Sequence, residues 1–108
     1  MKNNETKRCV IYARGNNQES IDEQLRFCKE FISANGNVYV GEYTDIGVSG
    51  SNNDGVQLQK ILCDSRRKKF DMVVAYKLDR LSRDLCNAIF YIYKLSNKGI
   101  GFDCVNKQ

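Results

Sequence analysis

The chain reads as an α/β protein: a three-layer fold in which a mainly parallel sheet of four strands, or slightly more, carries helices on both faces. Three observations predict it. Four short runs rich in β-branched and aromatic residues, Cys9 to Ala13, Val38 to Tyr43, Met72 to Tyr76 and Ile100 to Val105, have the length of strands. Between them lie three segments with apolar residues spaced by three and four, the period of a helix with one buried face. Alternating strand and helix through 108 residues forces parallel strands with right-handed crossovers, in a chain long enough for one domain and one core.

Taken in order, Met1 to Lys7 is polar and expected to fray. Cys9 to Ala13 (CVIYA) forms the first strand, and Arg14 follows at its carboxyl end. Gly15 to Glu19 reads as a flexible loop. Ser20 to Glu23 (SIDE) has the form of a capping box, so a helix is expected over about 21–35. Its buried stripe is Ile21, Leu25, Cys28 and Ile32, and Gly36 ends it in a left-handed cap. The second strand is Val38 to Tyr43. Thr44 to Gly55 (TDIGVSGSNNDG) is then a loop long enough to be functional or mobile. Leu58, Ile61, Leu62 and Ser65 mark the second helix. The basic run Arg66 to Lys69 at its carboxyl end complements the helix dipole, a reading favoured over DNA contact.

The third strand, Met72 to Tyr76, is apolar throughout, as for a strand buried on both faces. Beyond it Lys77, Asp79, Arg80 and Arg83 crowd one turn before a helical period starts at Leu85. In open α/β sheets ligands sit outside the carboxyl ends of the strands. If the helix has begun by then, Arg80 and Arg83, three apart, share a face, and two guanidinium forks on one face suit a phosphate. The plainer alternative is that both arginines solvate the start of a surface helix that Asp79 caps. Leu85, Ala88, Ile89, Ile92 and Leu95 give this helix its stripe, and it ends near Lys98 and Gly99. Phe90, Tyr91 and Tyr93 are read as core packing or a subunit contact rather than a base-stacking platform. Arg14, the 44–55 loop and the Lys77 to Arg83 cluster all follow strands, so they meet at one rim.

Composition narrows the chemistry. An apolar share of 42%, a charged share of 28% and a net charge of +4 fit an ordinary globular domain and permit a polyanionic partner without requiring one. The five cysteines are scattered, no pair stands as C-x-x-C, and the chain has no histidine. Neither a zinc site nor a Cys-His catalytic pair can be built from these parts, and no metal is expected. Buried free thiols, with no signal peptide and no bilayer-length apolar run, point to a cytoplasmic protein with no membrane contact.

Tyr12-Ala13-Arg14, Ser20 to Gln24 (SIDEQ), Asp45 to Gly50 (DIGVSG) and Tyr76 to Asp84 (YKLDRLSRD) together resemble the catalytic domain of the serine recombinases, the resolvase, invertase and large serine integrase family. The spelling is most similar to the large serine recombinases of mobile elements. The resemblance implies a resolvase-like fold and phosphoryl transfer on double-stranded DNA. In that family a serine after the first strand joins the DNA 5′ end and frees a 3′ hydroxyl. Strands are exchanged within a tetramer built from dimers, with no metal and no small-molecule cofactor. By the same implication Arg14, Arg80 and Arg83 hold the phosphate, Asp79 orients an arginine or handles the leaving-group proton, and Ser49 and Gln24 support loop and pocket. Family members continue into a long pairing helix and DNA-binding domains. On that basis residues 1–108 are expected to be an excised catalytic core that binds DNA weakly, with strong salt dependence and little sequence preference.

Two departures stand out. The family pattern Tyr-x-Arg-x-Ser lands on Asn16, whose amide is no phosphate nucleophile, and the family writes Arg-Pro where this chain has Gly55-Val56. The loop after Arg14 is also short by a residue or more. A degenerate relative, an engineered inactive form and a sequence incomplete at two loops would each give this pattern. The alternative function is therefore a catalytically inactive, DNA-associated oligomerisation module. A flavodoxin-like anion- or nucleotide-binding domain is a weaker third reading, since no glycine-rich phosphate loop follows the first strand.

Overall fold

The computed structural model describes residues 6–47 and 55–107. Strands β1 (Arg8–Gly15), β2 (Val38–Ile46), β3 (Met72–Ala75) and β4 (Gly101–Cys104) form one parallel sheet in the order β2-β1-β3-β4. Alternation along β1 divides the core. Cys9, Ile11 and Ala13 pack with Ile21, Leu25, Cys28 and Ile32 of α1 (Gln18–Ala34) on one face. Val10 and Tyr12 pack on the other with Leu58 and Ile61 of α2 (Val56–Ser65) and Ala88, Tyr91 and Leu95 of α3 (Leu85–Ser96). The three layers are those the sequence predicts, and no helix among the described residues is long and apolar enough to cross a membrane.

Several boundaries differ, each for a local reason. Helix α1 is capped by Asn17, whose side-chain oxygen accepts the Ser20 N–H at 2.8 Å. Asparagine is as good a cap as serine, so the helix starts earlier and Ser20 lies within its first turn. Strand β2 runs on to Ile46, because β1 offers Ala13, Arg14 and Gly15 as partners for Thr44, Asp45 and Ile46. The loop that composition opens at Thr44 therefore opens at Gly47, whose φ of 75° is left-handed. Helices α1 and α3 finish at the expected glycines, Gly36 and Gly99, with φ of 75° and 79°.

After β3 the chain makes a 3-10 turn over Leu78–Arg80, and α3 starts only at Leu85, capped by Asp84 through the Cys86 N–H at 2.9 Å. Arg80 and Arg83 thus share no helix face, and Asp79 caps no α-helix. Fully buried Leu81 pins the segment between turn and helix. Helix α3 is also rotated from expectation: Ala88, Tyr91 and Leu95 are buried, while Leu85 and Ile89 are more than half exposed along with Phe90 and Tyr93. Its contact with the sheet is a narrow stripe, which leaves most of its apolar surface outward. The cysteines are free, as expected, but only Cys9 and Cys28 are buried; Cys104 is half-buried, and Cys63 and Cys86 are exposed.

The amino-end rim is closed by a two-pronged ion pair. Arg8 Nε and Nη2 donate to Asp71 Oδ2 and Oδ1, both at 3.1 Å, and the Arg8 N–H adds a bond of 2.8 Å. Arg8 also donates to the Lys68 carbonyl at 2.9 Å. The basic run at the end of α2 therefore lies at the amino ends of the strands, on the rim opposite Arg14.

Candidate active site

β1 and β3 are neighbours, but the chain leaves their carboxyl ends toward opposite faces. From β1 it enters α1, and from β3 it enters the 3-10 turn and α3. Such a divergence leaves a crevice at the strand ends. A pocket of about 370 Å³ opens there, lined by Arg14, Gly15, Asn16, Asn17, Ser20, Asp79, Arg80 and Arg83. The rim cluster read from the sequence is assembled around one space.

Arg14 is buried, and its Nη2 donates to the Asp79 backbone carbonyl at 3.3 Å. β3 ends at Ala75, opposite Tyr12, so the main chain of Arg14 runs past its neighbour. Alternate residues of β1 address opposite sides: the Arg8 carbonyl accepts from Asp71 before β3, and the Gly15 carbonyl from Gly47 after β2. Arg14 has the parity of Arg8 and faces the side that β3 has left. Gln24 takes the place of a strand there. Its Oε1 accepts the Arg14 N–H at 3.3 Å, its Nε2 donates to the Arg14 carbonyl at 2.9 Å, and the same Nε2 donates to Ser20 Oγ at 3.2 Å.

Arg80 is the least satisfied group of the site. Its Nε is buried and has no hydrogen-bond partner among the described residues. The nearest carboxylate oxygen, Asp79 Oδ1, is 3.9 Å away, beyond hydrogen-bonding reach. A buried guanidinium donor left in this state costs about 1–3 kcal/mol, which an anionic oxygen in the pocket would recover. Arg83 and Asp79 are exposed at the mouth. Three guanidinium groups against one carboxylate make a site for a diffuse anion, and fixed positive charge is what a phosphodiester needs as charge builds during transfer.

Of the other residues expected here, Asn16 lines the pocket and is exposed, and Gln24 stands behind it as the clamp on Arg14. Ser49 lies outside the described residues. The structure adds two groups not assigned from sequence. Tyr12 Oη donates to Asp45 Oδ2 at 2.9 Å, and both Asp45 oxygens accept the Gln57 N–H at 3.2 Å. Asp45 thus does for α2 the capping that Gly55 cannot, fixing the helix start to the strand beside Arg14. The available signal was a carboxylate directly after a strand pattern, which composition assigned to the loop. Gly55 itself is pressed against this carboxylate: a Cβ there would lie 1.9 Å from Asp45 Oδ2. An arginine at this position would require Asp45 to move.

A family model described as the resolvase N-terminal domain matches residues 9–108. Among solved structures, the N-terminal catalytic domain of TP901-1 integrase is similar at 34% identity and a TM-score of 0.84, over 93% of this chain and 78% of that one. The C-terminal catalytic domain of ISC1926 TnpA, an IS607-like serine recombinase, is similar at 26% identity and a TM-score of 0.83, over 94% and 72%. A resolvase family site-specific recombinase from Streptococcus pneumoniae is similar at 25% identity and a TM-score of 0.78, over 91% and 71%. No curated protein sequence matches.

Proposed function

The chain belongs to the resolvase family of serine recombinase catalytic domains, and from that premise we propose that its pocket grips one phosphodiester of double-stranded DNA for site-specific strand cleavage, exchange and religation. The observation that carries the reading is the placing of Arg14, Arg80 and Arg83 around one pocket, with Arg80 Nε buried and unanswered among the described residues. Arg14 is the rigid member, locked by Gln24 and by the Asp79 carbonyl. Arg80 and Arg83 come from the turn after β3 and close on the phosphate from the other side. Asp79 holds Arg14 through its carbonyl and keeps its carboxylate at the mouth, where it can carry a proton to the leaving oxygen. The chemistry calls for no metal or small-molecule cofactor, and the free cysteines suit a reducing cytoplasm.

A second reading, an inactive assembly module, is favoured by one observation: the residue two beyond Arg14 is Asn16, whose amide nitrogen has no free electron pair to attack phosphorus. Its surface for self-association is the outward face of α3, where Leu85, Ile89, Phe90 and Tyr93 are each more than half exposed. Replacing Ile89 and Tyr93 by lysine is expected to abolish dimers and tetramers in sedimentation velocity while leaving the melting temperature unchanged.

Fluorescence anisotropy with a duplex oligonucleotide tests the main reading. Arg80→Ala and Arg83→Ala should each weaken binding and lower the slope of log K against log salt by roughly one. Arg66→Ala with Arg67→Ala, on the opposite rim, should change it little. The reverse pattern would move the DNA to the other end of the sheet and end the proposal.

A further inference from the structure

We propose that Ser20 is the phosphate nucleophile of this chain, doing what Asn16 cannot; this rests on the reading of the pocket as a phosphodiester site. Ser20 lines the same pocket as Arg14, Arg80 and Arg83, and it is the one hydroxyl-bearing residue among the described residues that line it. A serine at a helix start is ordinarily a cap, but here Asn17 caps α1, so the Ser20 hydroxyl is released from that duty.

Its position is also determined. Gln24 is clamped to the Arg14 main chain through two hydrogen bonds, and the amide nitrogen so fixed donates to Ser20 Oγ at 3.2 Å. That bond engages an oxygen lone pair and leaves the hydroxyl proton uncommitted by Gln24. On the other side stands Gly15, where a Cβ would lie 2.8 Å from Ser20 Oγ and 3.2 Å from Ser20 Cβ. The hydroxyl thus occupies space that any other residue at position 15 would fill. Only Asn16 and Asn17 separate β1 from α1, which brings the first turn of the helix against the end of the strand, and glycine at position 15 makes the approach possible. Ser20 also lies in the first turn of a helix of 17 residues, whose field favours negative charge building on Oγ.

The step balances without any co-reactant. Ser20 Oγ attacks phosphorus, the bond from phosphorus to the 3′ oxygen breaks with its electron pair, and the serine proton passes, by way of the Asp79 carboxylate or water, to that departing oxygen. The products are a 5′-phosphoseryl linkage and a 3′ hydroxyl, and the reverse step religates the strand.

The test uses bis(p-nitrophenyl) phosphate, an activated diester, with p-nitrophenolate release followed by absorbance and the adduct located by tandem mass spectrometry. The wild-type chain should carry an aryl phosphate on Ser20, and Ser20→Ala should lose both the adduct and the release. Gly15→Ala, which drives a methyl group into the hydroxyl, should slow labelling by roughly 10²-fold, the cost of displacing a reacting atom by about 1 Å, with helix content unchanged by circular dichroism. A wild-type chain with no adduct on Ser20 overturns the proposal. The double variant Asn16→Ser with Ser20→Ala then separates the two failures. Labelling at residue 16 in that variant discards Ser20 but keeps the pocket as a phosphodiester site, and no labelling discards both.

Discussion

Replacing Gln24 by leucine removes a side chain that substitutes for a missing strand, and the structure fixes the expected cost. Gln24 is 4% exposed and bonds both main-chain groups of buried Arg14. Leucine of similar size leaves an N–H and a carbonyl buried without those partners, at about 1–3 kcal/mol each. Burying a leucine in place of an amide returns about 1 kcal/mol. The net loss is about 3 kcal/mol, a large part of the roughly 5–15 kcal/mol that a domain holds in reserve. For a chain of this size it lowers the melting temperature by roughly 10–15 °C. Urea unfolding read by circular dichroism should show a lower midpoint at unchanged slope. Gln18→Leu is the control: Gln18 is exposed and its side chain donates to the Asp22 carboxylate on the helix surface, so its change should stay within about 0.5 kcal/mol. A Gln24→Leu variant no less stable than that control would refute the idea that Gln24 completes the sheet at Arg14.

Two further outcomes follow from the same geometry. Gly55→Ala puts a methyl group 1.9 Å from Asp45 Oδ2 and should destabilise by about 1–3 kcal/mol in urea unfolding, because Asp45 cannot yield without releasing the start of α2. The Asp71 carboxyl is held below its usual value of 3.8 first by the Arg8 side chain and then by the Arg8 N–H. A depressed carboxyl stabilises the fold above its unfolded value and loses that contribution as pH falls through the folded one. The midpoint advantage of wild type over Asp71→Asn should therefore be present at pH 5 and fade below 3.8. It should also shrink in high salt, because the pair is solvent-screened.

The layers of this fold were legible because each strand and helix pattern is continuous and has one consistent period. What the sequence hid was set by partners distant in the chain. Thr44 and Asp45 look like loop residues in isolation, and become strand only because β1 extends far enough to pair with them. Ser20 and Asn17 compete for one cap, and local spelling favours the serine that the structure turns into the pocket instead. The stripe on α3 was read from period alone. Which part of a wide apolar face is buried depends on how the helix meets the sheet, and Leu85 and Ile89 are left outward. In the site, Arg14, Arg80 and Arg83 were identifiable from their places after strands. The roles of Gly15 and Asp45 depend on approach distances that no spacing encodes.

The central claim is that arginines from two strand ends, Arg14 at the end of β1 and Arg80 after β3, hold a single phosphate, and a double-mutant cycle on these two, read as duplex-DNA affinity at fixed salt, tests it most directly. Two groups on one phosphate should couple by about 0.5 kcal/mol or more. Losses that add within about 0.3 kcal/mol would mean that the two arginines act on separate phosphates, and the pocket would not be the place where a strand is cut.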